Sequence, residues 1–216
     1  MNHHSKALAV LALAVSLVVG GLVLTRHVVA VAGEADAGRL NRSIMAYVAE
    51  KNPQAPLKAF QQFAETLVNE SQRTGIDHCL AIAQAEVESQ FKHDAVGAAG
   101  EIGIFQVLPS TAAIFEPQLG PFKRPILNKP QRELGDLADP IIATKFAMAY
   151  LRDIRVRKPN VKDMLTEYNG GPNGRHPHYY RLVMGTYVEV LERTDLRCRF
   201  RAFPKEAPGV TLLTRA

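Results

Sequence analysis

Residues 76–113 read IDHCLAIAQAEVESQFKHDAVGAAGEIGIFQVLPSTAA, and the rest of the chain is understood from this stretch outward. Ile76, Leu80, Ala83, Val87 and Phe91 recur at helical spacing, which predicts a helix of about four turns with one apolar stripe. At about 100° per residue, Glu88 falls on the edge of that stripe beside Ala81, Gln84 and Ala85, whereas Glu86 points away from it. Glu86 is therefore expected to be solvated. Glu88 is expected among small apolar side chains near the helix C-terminus, where loss of water and the helix dipole both raise a carboxyl pKa. A carboxyl that stays protonated near neutral pH can act as a general acid toward a glycosidic oxygen. Periodicity alone favours an ordinary helix-end glutamate, so the residues that follow have to decide.

Ser89-Gln90-Phe91 come next, then Ala95-Val96-Gly97-Ala98-Ala99-Gly100, Glu101-Ile102-Gly103-Ile104-Phe105-Gln106 and Leu108-Pro109-Ser110-Thr111-Ala112. In this order they resemble the soluble lytic transglycosylase (SLT) catalytic domain, whose signature is Glu-Ser-x-Phe, a Gly-x-x-Gly-x-x-Gln turn and Pro-x-Thr-Ala. Downstream, Asp136-Leu137-Ala138-Asp139-Pro140 with Tyr150-Leu151, then Tyr168-Asn169-Gly170-Gly171-Pro172, and finally Tyr187-Val188-Glu189-Val190-Leu191 resemble further segments of the same family. The resemblance spans about residues 58–196, and separated motifs in one order are far more specific than a lone Glu-Ser pair.

The resemblance implies a mainly α, lysozyme-like (goose-type lysozyme/SLT) single globular domain preceded by an N-terminal hydrophobic helix. It implies a lytic murein transglycosylase acting on peptidoglycan glycan strands, with Glu88 as the single catalytic acid/base. Gln106 and Tyr168 are implied as substrate-binding residues, together with Gly103, Ser89 and Asn169. Neither a metal nor an organic cofactor is implied. This chain departs from the family pattern at several places: Gly97 stands where a serine is common, Ala143 where an asparagine is common, Ala147 where a glycine aligns, and Glu167 where alanine is usual. Glu167 could add a charge near the site, but it is turned about 100° from Tyr168 at helical spacing and is not assigned as a second carboxylate. Asp94 and Glu101 lie near Glu88 in sequence with no motif behind either. Two alternatives stay open: a hydrolytic muramidase, which needs a second carboxylate, and a non-catalytic wall-binding protein on the same scaffold.

The N-terminal part carries a different message. Ala7 to Leu24 is nearly unbroken Ala, Leu, Val and Gly, long enough to span a bilayer core. Residues 1–32 are expected to form a transmembrane anchor, with a cleavable signal ending near Ala30-Val31-Ala32 as the alternative. Either reading exports the rest, so the expectation is an inner-membrane protein with a periplasmic catalytic domain, or a soluble periplasmic one, with envelope or secretion machinery as a possible partner. Residues 33–56, closed by Pro53 and Pro56, are expected to be a short helix and tether. The catalytic domain is expected over 57–196 and a basic tail over 197–216.

Helices are expected at 57–73, 141–155, up to Tyr168, and 179–191, with a long loop from Glu116 to Pro140 that is either a groove rim or a surface insertion. The balance of 26 basic to 21 acidic residues without a clustered basic patch in the domain argues against nucleic acid. Cys79, Cys198 and the scattered histidines, His176 and His178 among them, lack zinc-ligand spacing. Whether the two cysteines pair is open, and pairing requires Cys198 to fold back onto the helix that holds Cys79.

Overall fold

The computed structural model describes residues 36–128, 133–174 and 176–198. The expected anchor or signal segment and most of the basic tail lie outside these residues. Among the described residues no helix is long and apolar enough to cross a membrane. The chain divides into two units, Met1–Leu40 and Asn41–Ala216. Of the first, residues 36–40 are described, and they are helical.

The second unit is helical, with isolated β-bridges and no strand among the described residues. It opens with helix α1, residues 41–51. The short helix expected within 33–56 is present and packs into the core: Ile44, Tyr47 and Val48 are buried at i, i+3 and i+4, one core-facing stripe. The Tyr47 hydroxyl donates to Glu86 Oε2 at 2.5 Å, and Lys51 Nζ lies 2.9 Å from Glu86 Oε1. Glu86, expected in solvent, is thus the latch that ties α1 to the helix carrying Glu88.

Helix α2, Leu57–Thr74, buries Phe60, Phe63, Ala64 and Leu67, the stripe expected from its spacing. Gly75 closes it at φ 70°, a left-handed conformation that glycine adopts without a Cβ clash. Two residues later the Asp77 side chain accepts the Cys79 N–H and caps helix α3, His78–Ser89. This helix is shorter than its apolar spacing suggests. Ile76 precedes the cap, and at the far end Gln90 and Phe91 both take positive φ, so Phe91 reaches the core from outside the helix. Nor does α3 present a single stripe: every residue from Cys79 to Ala85 is buried, which is how a central helix packed on several sides reads.

Helix α4, Pro109–Leu119, starts with proline at its first position, where the missing N–H costs nothing. It runs through Pro117 to Leu119, past the point at which a loop was expected. The loop after it is tied down by a bridge between Ile126 and Glu133 and by the Lys123 N–H donating to Asp136 Oδ2 at 2.7 Å. A 3₁₀ turn, Asp136–Ala138, buries Leu137. Helix α5, Pro140–Arg157, is capped by Asp139. Helix α6 is Val161–Gly170, capped by Asn160, and α7 is Pro177–Glu192. α3 packs against α7 and α2 against α5. A final 3₁₀ turn, Thr194–Leu196, buries Leu196 and brings Cys198 to Cys79, with which it forms a disulfide. The domain thus begins earlier than expected, at α1, and its covalent framework reaches Cys198.

Candidate active site

Glu88 is the penultimate residue of α3, and its carboxyl faces a cleft that Glu101, Gln106, Tyr150, Tyr168 and Asn169 also line. Burial pushes its pKa up to about 7. The Tyr179 hydroxyl donates to Glu88 Oε1 at 2.6 Å and works against that rise, while the charge of Glu101 adds to it. The result is a carboxyl divided between its two protonation states near neutral pH, with one lone pair already held by a phenol.

Tyr179 sits in the first turn of α7, two residues after Pro177, and is buried. Its own pKa is driven well above the ordinary value by burial and by the Glu88 charge, so it remains a donor at any working pH. Tyr179→Phe removes that donor. The expected outcome is an upward move of the Glu88 titration midpoint, read by carboxyl ¹³C NMR; a midpoint that stays in place or falls would count against the contact.

The turn that follows α3 is built by glycine and one strained glutamine. Gly103 has φ +77°, and a Cβ there would stand 2.2 Å from the Leu137 carbonyl oxygen, so only glycine lets the 3₁₀ turn pack against it. Gln106 adopts φ 46°. Its Nε2 donates to the Gly103 carbonyl at 2.9 Å and to the Ala95 carbonyl at 3.3 Å, which fixes the amide and directs Oε1 toward Gly97. Ser89 Oγ donates to the Ile104 and Ala85 carbonyls, tying the end of α3 to the same turn.

Tyr168 donates to the Phe105 carbonyl at 2.9 Å, and its ring lies 5.2 Å from that of Tyr150. It forms an aromatic wall of the cleft, while the phenol that touches Glu88 is Tyr179. Of the residues expected from sequence, Glu88, Gln106, Tyr168 and Asn169 line one cleft. Ser89 and Gly103 support the turn behind it. Glu167 is buried in α6, where Arg157 Nη1 at 2.5 Å and Lys158 Nζ at 3.1 Å neutralise it. It is not a second cleft carboxylate, although its charge is felt by the Tyr150 hydroxyl on the cleft wall. Sequence reasoning gave no site role to Tyr179, nor to Tyr150 and Thr111 beyond their motifs, and set Glu101 aside for want of one. For Glu101 a signal existed: an acidic residue inside an otherwise apolar, glycine-patterned segment.

A family model described as "Transglycosylase SLT domain" matches residues 65–178, more than half of the chain and the part that holds Glu88, Gln106 and Tyr168. Among solved structures, the chain is similar to the X-ray structure of an inactive mutant of the lytic transglycosylase Slt from Pseudomonas aeruginosa. Identity is 20%, the TM-score is 0.49, and the match covers 64% of this chain and 26% of that one. This chain therefore corresponds to about a quarter of that protein's length. No curated protein matches it.

Proposed function

Because the chain belongs to the Transglycosylase SLT domain family, we propose that it is a lytic transglycosylase that cleaves the β-1,4 bond between N-acetylmuramic acid and N-acetylglucosamine in peptidoglycan without water as nucleophile. The observation that carries this reading is the Glu88 carboxyl, with a pKa of about 7 and a tyrosine hydrogen bond, facing the cleft. A group poised there is protonated often enough to act as an acid and basic enough to act next as a base.

In the first step Glu88 gives its proton to the glycosidic oxygen while the bond from that oxygen to the muramoyl anomeric carbon breaks. In the second, the Glu88 carboxylate takes the proton of the muramoyl 6-hydroxyl as that oxygen bonds to the anomeric carbon. A 1,6-anhydro ring closes and Glu88 returns to its acid form. Tyr179 holds Glu88 Oε1, which leaves Oε2 to face the substrate. Positive charge developing on the sugar ring is stabilised by the dipoles lining the cleft.

Mass spectrometry of fragments released from peptidoglycan tests the reading. Anhydromuramoyl ends that disappear with Glu88→Gln are the expected result, and reducing ends would replace the proposal with hydrolysis. The Cys79–Cys198 disulfide suits an oxidising compartment outside the cytoplasm, where glycan strands lie. Anchoring through residues 1–32 at the inner membrane, and work beside envelope or secretion machinery, belong to the same proposal.

A further inference from the structure

What marks Gly97 is what lies against it, not its backbone. Its φ lies outside the left-handed region in which Gly100, Gly103 and Gly120 sit, so any residue could adopt its conformation. A Cβ built on Gly97 would instead stand 2.2 Å from Glu101 Oε2 and 2.7 Å from Gln106 Oε1. The room that a side chain at this position would take is filled by a carboxylate from four residues further along. The turn that brings it there is closed by the Gly97 N–H donating to the Glu101 carbonyl at 2.8 Å. The Ala99 N–H donates to Glu101 Oε2 at 3.0 Å, so the carboxylate is held in place.

Two acceptor oxygens therefore converge over Gly97. The Gln106 amide has used its NH₂ on the Gly103 and Ala95 carbonyls and presents only oxygen, and a carboxylate has no proton to offer it. A pair of acceptors on the wall of a cleft calls for a donor from outside. Resting on the reading that glycan is bound beside Glu88, we propose that Glu101 is a substrate-contacting residue, its carboxylate and the neighbouring Gln106 Oε1 each accepting from a hydroxyl or amide N–H of the sugar in the cleft. Glu101 also supplies charge that helps keep Glu88 protonated, a second contribution of the same carboxylate.

Calorimetric titration of soluble, uncrosslinked glycan strands into the Glu88→Gln protein, whose ligand is not consumed, measures the contact apart from turnover. Adding Glu101→Ala should weaken binding about tenfold to a hundredfold, the scale of a hydrogen bond to a charged acceptor. Glu101→Gln in place of Glu101→Ala, in the same background, keeps an acceptor oxygen at this place and should recover part of that loss, which a purely charge-based role would not allow. In the otherwise unaltered enzyme, Glu101→Gln keeps an acceptor but removes the charge, so the alkaline limb of its kcat/KM profile should move to lower pH.

Equal binding with and without Glu101→Ala overturns the proposal, as does weakened binding that Glu101→Gln does not restore in any part. If glycan binds in a Glu101-dependent way but no bond is cleaved by the unaltered protein, the catalytic reading falls and this one stands. If neither protein binds glycan, both fall.

Discussion

Glu88→Gln is expected to lower glycan cleavage by about a hundredfold to ten-thousandfold, the usual contribution of a positioned acid/base, while making the protein more stable at alkaline pH. The two effects have one cause. The carboxyl is raised from its ordinary value of 4.5 to about 7 chiefly by burial, so the folded state holds a proton that the unfolded chain releases. A group raised on folding contributes stability that is fully present below its unfolded pKa and lost as pH rises through the folded one. For Glu88 that window runs from 4.5 to about 7, and the full loss is on the order of 3 kcal/mol above it. Glutamine has the same shape, can still accept from Tyr179, and carries no charge to desolvate.

Thermal unfolding of both proteins checks the stability half. The variant should melt above the parent at pH 8 and close to it at pH 4.5; equal melting temperatures at pH 8 would show that Glu88 is not held at a raised pKa. The kinetic half has its own pH signature. Cleavage that requires the protonated acid should decline as pH rises past about 7, and an alkaline limb near an ordinary carboxyl value would point to another acid.

How much of this was legible follows from the length of chain that each feature depends on. Helices α2 and α7 were readable to within a few residues because they keep a stripe on one face, and α5, which is buried on more than one side, because Asp139 before Pro140 marks its start. Helix α3 defeated the same reasoning at both ends. Ala, Ile and Leu on every side leave no polar face to set its limits, and positive φ at Gln90 and Phe91 stops the helix while the apolar spacing continues. A short helix was expected before the tether that Pro53 and Pro56 suggest, but its place in the core was not, although Ile44, Tyr47 and Val48 already carried the core-facing spacing.

In the cleft, Glu88, Gln106 and Tyr168 were found through their resemblance to a motif. The Tyr179 contact spans 91 residues and depends on how α7 lies across α3. Tyr179 and Tyr180 are adjacent in sequence, and packing alone decides that Tyr179 is the buried one. Glu101 was visible as a carboxylate near Glu88, but nothing in its spacing told it from Asp94; its place against Gly97 and Gln106 is a fact about space and not about spacing.

Breaking the Cys79–Cys198 disulfide is expected to cost about 2–5 kcal/mol of stability. The bond joins residues 119 apart in sequence, and closing so long a loop in the unfolded chain is worth nearly 5 kcal/mol in the chain-entropy account. For a domain of this size that corresponds to a fall in Tm of roughly 5–15 °C. Cys198→Ser measures it more cleanly than a change at Cys79, whose side chain is fully buried and whose loss would disturb the core as well. Reduction of the unaltered protein should reproduce the shift, and a fall of less than about 2 °C in both would show that the packing of α7 and Leu196 already holds the C-terminal segment. The bond enters α3 in its first turn, while Glu88 lies nine residues on, about 13 Å along the axis. Activity per folded molecule at low temperature should therefore be unchanged in Cys198→Ser, with inactivation appearing only as the lowered melting point is approached. A loss of activity well below that temperature would instead mean that the disulfide sets the position of α3, and with it the acid.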